Sequence, residues 1–402
     1  MSEWKKCPIG EVVTLRQGFA INAKSKHYMS KEETSLPLLR IADMKNGTKE
    51  VFVKEEIPQR FIAHPEDIIY TRTGNVGLVF RNNYGVMHNN CFSVTPNDAD
   101  ELSRDFLYYA LQNKTFFDTA NALARGAAQP DLPHTSFNSI EFAYPSLFVQ
   151  ERIAYILSRY DSLIENYQKQ IKLLEEAAQR LYKEWFIDLH FPEHENTNII
   201  DGVPEGWEKK KLCELFSFVR GKSYTSKELS DEGTIMVNLK NIQSFGGYKS
   251  DVEKHFIGTF KEEQTLMKGD LIMGVTDMTQ ERRLVGSVAL IPDFKETATF
   301  SMDLIKLISF KLPNIYLYCA MRYGDVSRQI APLANGVNVL HLKPEAISNI
   351  EMVVASDSII EKFVSYTSKT IENILSLQSQ LRLLTEARDR LLPKLLSGEI
   401  EV

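Results

Sequence analysis

The chain has 402 residues, 43% hydrophobic and 25% charged, the balance of a folded globular protein and not of a disordered or fibrous one. Its 47 Lys and Arg against 53 Asp and Glu leave a net charge of −6, which excludes the uniformly basic footprint of a nonspecific nucleic-acid coat. Cys7, Cys91, Cys213 and Cys319 lie far apart, with no paired spacing and no His at metal-ligand spacing, so neither a zinc site nor a disulfide framework is expected.

The opening segment MSEWKKCPIG has no apolar signal core, and no window approaches the ~18 apolar residues that span a bilayer. The expectation is a cytoplasmic protein with no membrane contact. Residues 1 to 148 hold short apolar runs broken by Gly, Asn and Pro, such as Ile68-Ile69-Tyr70, Val76 to Phe80 and Cys91 to Val94, the pattern of short strands and turns. A helix is expected from Arg104 to about Asn121. After Pro145 the pattern becomes a heptad: Ile153, Leu157, Tyr160, Ile164, Tyr167, Ile171, Leu174, Ala178, Leu181 and Trp185 recur by threes and fours. Residues 149 to 190 therefore read as one long helix, 191 to 202 as a linker, and 203 to 356 as a second mixed segment. A second long helix is expected over 357 to 402, through Phe363, Ile374, Leu377, Leu381, Leu384, Leu391 and Leu395. Thr367, Thr370 and Arg388 interrupt its seam, and Pro393 should kink or fray its end.

The chain is written twice. An offset of 210 aligns Leu123-Ala124 with Leu333-Ala334, Gly126 with Gly336, Ile140-Glu141 with Ile350-Glu351 and Leu173-Leu174 with Leu383-Leu384, with 21 identities over residues 107 to 181. An offset of 203 aligns the fronts: Trp4 with Trp207, Gly18 with Gly221, Asp67 with Asp270 and Thr73 with Thr276. The halves match poorly between about 19 to 65 and 222 to 268, so one scaffold carries two different surfaces. The fold class expected is α+β: two similar heads with short strands, separated by two long helices whose apolar stripes meet as an antiparallel coiled coil, with pseudo-two-fold symmetry.

No catalytic constellation emerges. Gly221-Lys222-Ser223 resembles the end of a phosphate-binding loop, but Phe216 stands where that pattern needs glycine. Pro292-Asp293 with Glu296 lacks the lysine of a metal-dependent nuclease, and no nucleophile elbow, zinc-binding HExxH or dinucleotide fingerprint is present. Two similar heads on a rigid spacer suit duplex DNA, whose equivalent groove faces recur about every 10 base pairs.

Several segments together resemble the specificity subunit of type I restriction-modification systems. They are Arg16-Gln17-Gly18 and Val219-Arg220-Gly221, Arg72 to Gly77, Gly126 to Leu132, Gln150 to Ala154, Pro204 to Trp207 and Leu391 to Ile400. They span essentially the whole chain in the expected order. The resemblance implies two target recognition domains, 1 to 148 and 203 to 356, each reading one half of a bipartite asymmetric site in double-stranded DNA, with the helices setting the spacer. It implies a non-catalytic chain, with no cofactor of its own, that directs two methyltransferase subunits using S-adenosylmethionine and, through the complex, motor-nuclease subunits using ATP and Mg.

Both heads are near neutral, with 16 basic and 17 acidic residues in 1 to 148 and 19 of each in 203 to 356, so DNA affinity must come from basic residues gathered on one face. Candidate contacts are polar residues of glycine-marked loops: Arg16, Arg40, Lys45, Arg72, Thr73, Asn75, Arg81, Asn89, Arg125 and Gln129 in the first head, and Arg220, Lys222, Lys240, Asn241, Thr276, Gln280, Arg282, Arg283, Asn335 and Asn338 in the second. Thr276 to Arg283 stands out, as an insertion with two adjacent arginines. Trp185, Phe186 and Phe191 fit either core under the second head or a docking patch for the methyltransferase. The alternative for the whole chain is a coiled-coil adaptor that clamps two copies of a protein partner without DNA.

Overall fold

The computed structural model describes residues 4–126, 128–250, 254–278 and 281–402. The chain divides into two compact units: Met1–Asp161 with Ala387–Val402, and Ser162–Glu386.

In the first unit a four-stranded antiparallel sheet runs in the order Val13–Gln17, Cys91–Pro96, Ile68–Thr71, Val79–Phe80. Its inner strands are apolar on both faces because helices cover one side and a second sheet the other. Tyr70 stacks on Phe92 at 5.5 Å, and Phe137 meets both ring edges at 5.0 Å. The helix expected from Arg104 to Asn121 is two helices, Arg104–Ala110 and Lys114–Leu123. The break comes at Asn113, whose side chain accepts from the Thr115 amide at 3.1 Å and caps a new start. Lys5–Pro8 pairs with Glu141–Tyr144, so the strand that opens the chain lies beside the one that leads into the first long helix.

A lobe of five short strands grows from this sheet: Met29–Ser30, Phe52–Val53, Leu36–Leu39, Gly85–Met87 and Ile62–Ala63. Its one parallel pair is Leu38–Val86 and Leu39–Met87. Phe19, Leu36, Leu38, Val53, Ile57, Ile62 and Val86 form a separate small core there.

The second unit repeats this chain path. Its sheet runs Phe216–Arg220, Leu304–Ser309, Leu271–Gly274, Val288–Leu290, and Glu208–Lys211 pairs with Glu351–Val354. The second lobe repeats the one parallel pairing, between Thr234–Val237 and Ala298–Phe300, and two of the three antiparallel ones, with a single antiparallel bridge between Leu266 and Ala298 in place of the third. The stretches in which the two halves share least sequence thus adopt the same topology. Their pleated apolar positions agree, although their loop residues do not.

The scaffold glycines mark where sheet and lobe cross. Phe19 bridges His88 and Lys222 bridges Ser301, both in parallel sense. A Cβ on Gly18 would lie 2.2 Å from the His88 carbonyl oxygen, and one on Gly221 would lie 2.0 Å from that of Ser301. The Gly221-Lys222-Ser223 tripeptide therefore serves a backbone crossing, and its glycine is one that no side chain can replace.

The first long helix spans Leu147–Tyr182, and a π-helical turn follows over Lys183–Ile187. It begins two residues before the expected start. In the first unit Ile153 and Leu157 are buried on it; in the second, Ile164, Ile171, Ala178 and Trp185 continue the seven-residue spacing. The second long helix spans Asp357–Ser397. Within the second unit the two run antiparallel: Trp185 lies 5.9 Å from Phe363, while Ile171 shares a cavity wall with Gln378 and Leu381. Seam positions that looked like interruptions are satisfied locally. Thr367 is buried and donates to the Phe363 carbonyl at 2.8 Å, one turn back. In the first unit Arg388 reaches Asp161 at 3.1 Å. The helix continues through Pro393 for four more residues, and Leu395 and Leu396 pack on the first head. Trp185, Phe186 and Phe191 are core: Phe186 meets Phe363 at 4.9 Å and Tyr316 at 5.4 Å, and Phe191 meets Trp207 at 5.0 Å. Among the described residues no helix is long and apolar enough to cross a membrane.

Candidate nucleic-acid interface

Each head presents two adjoining loops built on the same backbone bridges. In the first, the turn 72–78 between two sheet strands lies beside the loop 125–131. Thr73 and Arg125 both bridge Asp131, the Gly74 amide donates to the Pro130 carbonyl at 2.8 Å, and Leu132 donates to the Arg72 carbonyl at 2.9 Å. In the second, Thr276 and Asn335 both bridge His341, and the Leu342 amide donates to the Val275 carbonyl at 2.8 Å. Gly126 and Gly336, matched by the repeat, both turn at positive φ, 97° and 149°. The frame is common and the side chains are not.

The first frame is tied by charge. Arg72 grips the Asp131 carboxylate through Nε at 3.1 Å and Nη2 at 2.6 Å, Thr73 donates to the same carboxylate at 2.6 Å, and Arg72 also donates to Gln17. Burial pushes the Asp131 carboxyl up, but the hydrogen bonds from Arg72 and Thr73 outweigh it and hold the group below its usual range. The second frame replaces Arg72 by Val275 and Asp131 by His341, with Thr276 Oγ1 3.4 Å from His341 Nδ1. Its strand-to-strand loop covers 275–287 where the first covers 72–78, one of the places where the offset of the repeat changes. The Asp277 carboxylate holds that longer loop by accepting from the Leu284 amide at 2.8 Å.

The structure separates the sequence-derived candidates by what already occupies them. Arg16 is tied to Asp67 and to the carbonyls of Arg60 and Ile62, all within 2.8 Å. Arg40 holds Asp43 and Glu50 at the start of a short helix. Arg81 stacks over Tyr108 at 4.1 Å and lies 3.6 Å from Asp161. With Arg72 and Thr73, these side chains are tied to carboxylates and carbonyls of the chain itself. Asn241 and Thr276 are buried. Asn241 caps a turn by accepting from the Asn238 amide at 3.0 Å and donating to the Lys249 carbonyl at 3.1 Å, so its amide is spent on the chain itself.

Lys45, Asn75, Arg125 and Gln129 in the first head, and Lys240 and Asn338 in the second, are exposed, with no side-chain hydrogen bond or ion pair to another of the described residues. Asn335 is exposed and donates to the Leu333 carbonyl at 3.0 Å. Asn89 and Lys222 are half-buried at the sheet-lobe crossings, where their amides donate to the carbonyls of Phe19 and Phe300. Arg220 pairs with Glu345 at 2.6 Å and Arg283 with Glu281 at 2.7 Å, surface pairs that a phosphate can displace. Arg282, the residue before Arg283, turns at φ 53°. Gln280 lies outside the described residues. A search for polar loop residues missed the apolar tips of the second head: Phe245, Met278 and Val337 are all exposed, and the Phe245 amide donates to the Arg283 carbonyl at 3.0 Å, joining two loops. The neighbouring Gly246-Gly247 and Gly336 were the available signal. Among the described residues no cluster of three metal-ligating side chains occurs.

Residues 1–176 match the family model for the type I restriction modification DNA specificity domain. Chain path and loop frames recur in the second unit, so the molecule carries that domain's architecture twice. Over the rest of its length too, the chain is similar to type I restriction enzyme specificity subunits. It is 28% identical over 318 residues to the type I restriction enzyme MjaIX specificity subunit of Methanocaldococcus jannaschii, covering 77% of this chain and 72% of that one. It is 23% identical to the MjaVIII specificity subunit of the same organism, over 100% of this chain and 93% of the relative. The HindI specificity subunit of Haemophilus influenzae aligns over the full length of both at 22% identity. A crystal structure of the type I restriction-modification S subunit from M. genitalium shares the fold, with a TM-score of 0.60 at 19% identity, over 98% of this chain and 96% of that one.

Proposed function

We propose that the chain supplies the DNA address of a type I restriction-modification complex. Residues 1 to 148 read one half of a bipartite asymmetric site, residues 203 to 356 read the other, and the paired helices set the number of unread base pairs between them. The chain performs no chemistry. Two partner methyltransferase subunits, using S-adenosylmethionine, modify one adenine in each half, and motor-nuclease subunits, using ATP and Mg, join through the complex.

The observation that carries this reading is the pair of loop frames, alike in backbone bridges and different in nearly every exposed side chain. A scaffold of that kind can hold two loop sets against duplex DNA while each set faces different bases. Arg125 and Gln129, and Asn335 and Asn338, are of the types that grip guanine or adenine edges with paired hydrogen bonds. With a net charge of −6, binding relies on local basic side chains such as Lys45 and Lys240 at phosphates, and is therefore salt-sensitive.

The test is long-read mapping of adenine methylation in cells with and without the gene. One bipartite motif should lose methylation on both strands when the gene is removed, and exchanging residues 1 to 148 for those of a relative should change only one half of it. A methylome that does not depend on the gene, together with no sequence-specific duplex binding by the purified complex, would leave the adaptor reading instead.

A further inference from the structure

In the second unit the recognition lobe is fastened directly to the long helices. Arg382, on the second long helix, is 6% exposed, donates to the Phe294 carbonyl at 2.9 Å and lies 3.5 Å from Glu296. One turn earlier Gln378, 3% exposed, donates to the Tyr248 carbonyl at 3.4 Å. Tyr248 and Phe294 are not peripheral: their rings lie 6.1 Å apart within the lobe core that contains Ile235, Val237 and Phe300.

A third attachment fixes the same loop. Glu175, on the first long helix, receives both terminal nitrogens of Arg322 at 2.8 and 2.9 Å. The Arg322 side chain fills the space beside Gly246 and Gly247, where added Cβ atoms would meet it at 2.9 and 2.8 Å. The loop that carries exposed Phe245 is thus pinned between a helix-bound arginine and a helix-borne glutamine. The first head is pinned elsewhere: Arg81 with Asp161 and Arg388 sits at the end of Val79–Phe80, the edge strand of its four-stranded sheet. Gln168 and Lys172, the positions one repeat before Gln378 and Arg382, are exposed.

We propose that Arg382 and Gln378 are positioning residues for the second half-site: they set the attitude of the second recognition lobe on the helices, so that base discrimination there depends on side chains that never touch DNA. The proposal rests on the reading of the chain as a bipartite DNA reader. Removing the buried guanidinium takes the donor from the carbonyl of buried Phe294, and the lobe relieves that by shifting as a body, because its own core remains intact. Loops on the lobe then miss their bases by a common displacement.

The experiment uses the complex with its methyltransferase and duplexes carrying single base changes in the first or the second half of the mapped motif. Arg382→Gln should lower discrimination against second-half changes by about tenfold, the consequence of losing one buried charge-assisted contact, and leave first-half discrimination as in the wild type. Arg382→Lys should recover part of it, and Gln378→Ala should show a smaller loss confined to the same half. Equal losses in both halves, or unchanged second-half discrimination in a folded variant, overturn the proposal. If Arg382→Gln does not fold, Arg382→Lys and Gln378→Ala decide. A wild-type complex that recognises no bipartite site refutes the underlying function before any variant is made.

Discussion

Asp131 gathers Arg72, Thr73 and, through Arg72, Gln17 into one cluster at the root of two loops. Arg72 stands out in the sequence because a glycine-marked turn surrounds it, but its partner lies 59 positions away, and only folding shows that the guanidinium is already occupied. The pH dependence follows from the direction of the Asp131 shift. Its folded-state carboxyl sits below the ordinary 3.8, so its stabilising contribution is complete above that value and disappears as pH falls through the lower folded-state value. Urea unfolding of the wild type and of Asp131→Asn across a pH series should show a gap that is constant at neutral pH and closes only on the acid side of 3.8. A gap that changes between pH 6 and 8 would point to another group. Glycine gives the other prediction at this scale. Gly18→Ala and Gly221→Ala place a Cβ 2.2 and 2.0 Å from a carbonyl oxygen, and each should destabilise its own unit by about 1–3 kcal/mol in urea unfolding.

Among the elements, the long helices show how far periodicity goes. The heptad correctly selected Ile153, Leu157, Ile164, Ile171, Ala178 and Trp185 as buried, because a helix that packs along one stripe must repeat its apolar residues at that spacing. Helix ends were less legible: a capping asparagine split the helix expected from Arg104, and the second long helix, expected to run to 402, stops at Ser397. Apolar residues off the stripe divide, Ala154 and Tyr182 being buried and Leu163 and Leu173 exposed. Leu157→Ala, at a position 0% exposed, should cost about 2–5 kcal/mol. By contrast Leu173→Ala, at 65% exposure, should change unfolding by no more than about 0.5 kcal/mol. Comparable losses at both positions would show that something covers Leu173 in solution.

For the whole molecule the spacer role makes a quantitative prediction. One heptad of helix is about 10 Å long, close to the rise of about three base pairs. Adding one heptad to each helix in the paired stretch should lengthen the unread spacer of the methylated motif by about three base pairs and leave both half-sites unchanged. Long-read methylation mapping reads both results at once, and a lengthened ruler with an unaltered spacer would remove that role from the helices.

The sequence by itself determined the duplicated plan, the α+β class, the helical stripe and the scaffold elements that mark the family. Repeats and apolar periodicities are written in chain order, and local physics is enough to read them. Only the tertiary structure decided which polar loop residues are tied to partners within the chain. Arg16, Arg72 and Arg81 are of the type that reads bases, yet each meets a carboxylate that arrives from a distant element. The same holds for Gln168 and Gln378, identical residues one repeat apart, the first exposed and the second buried against a lobe. A residue type fixes what a side chain can bond to, and the fold fixes what comes within reach.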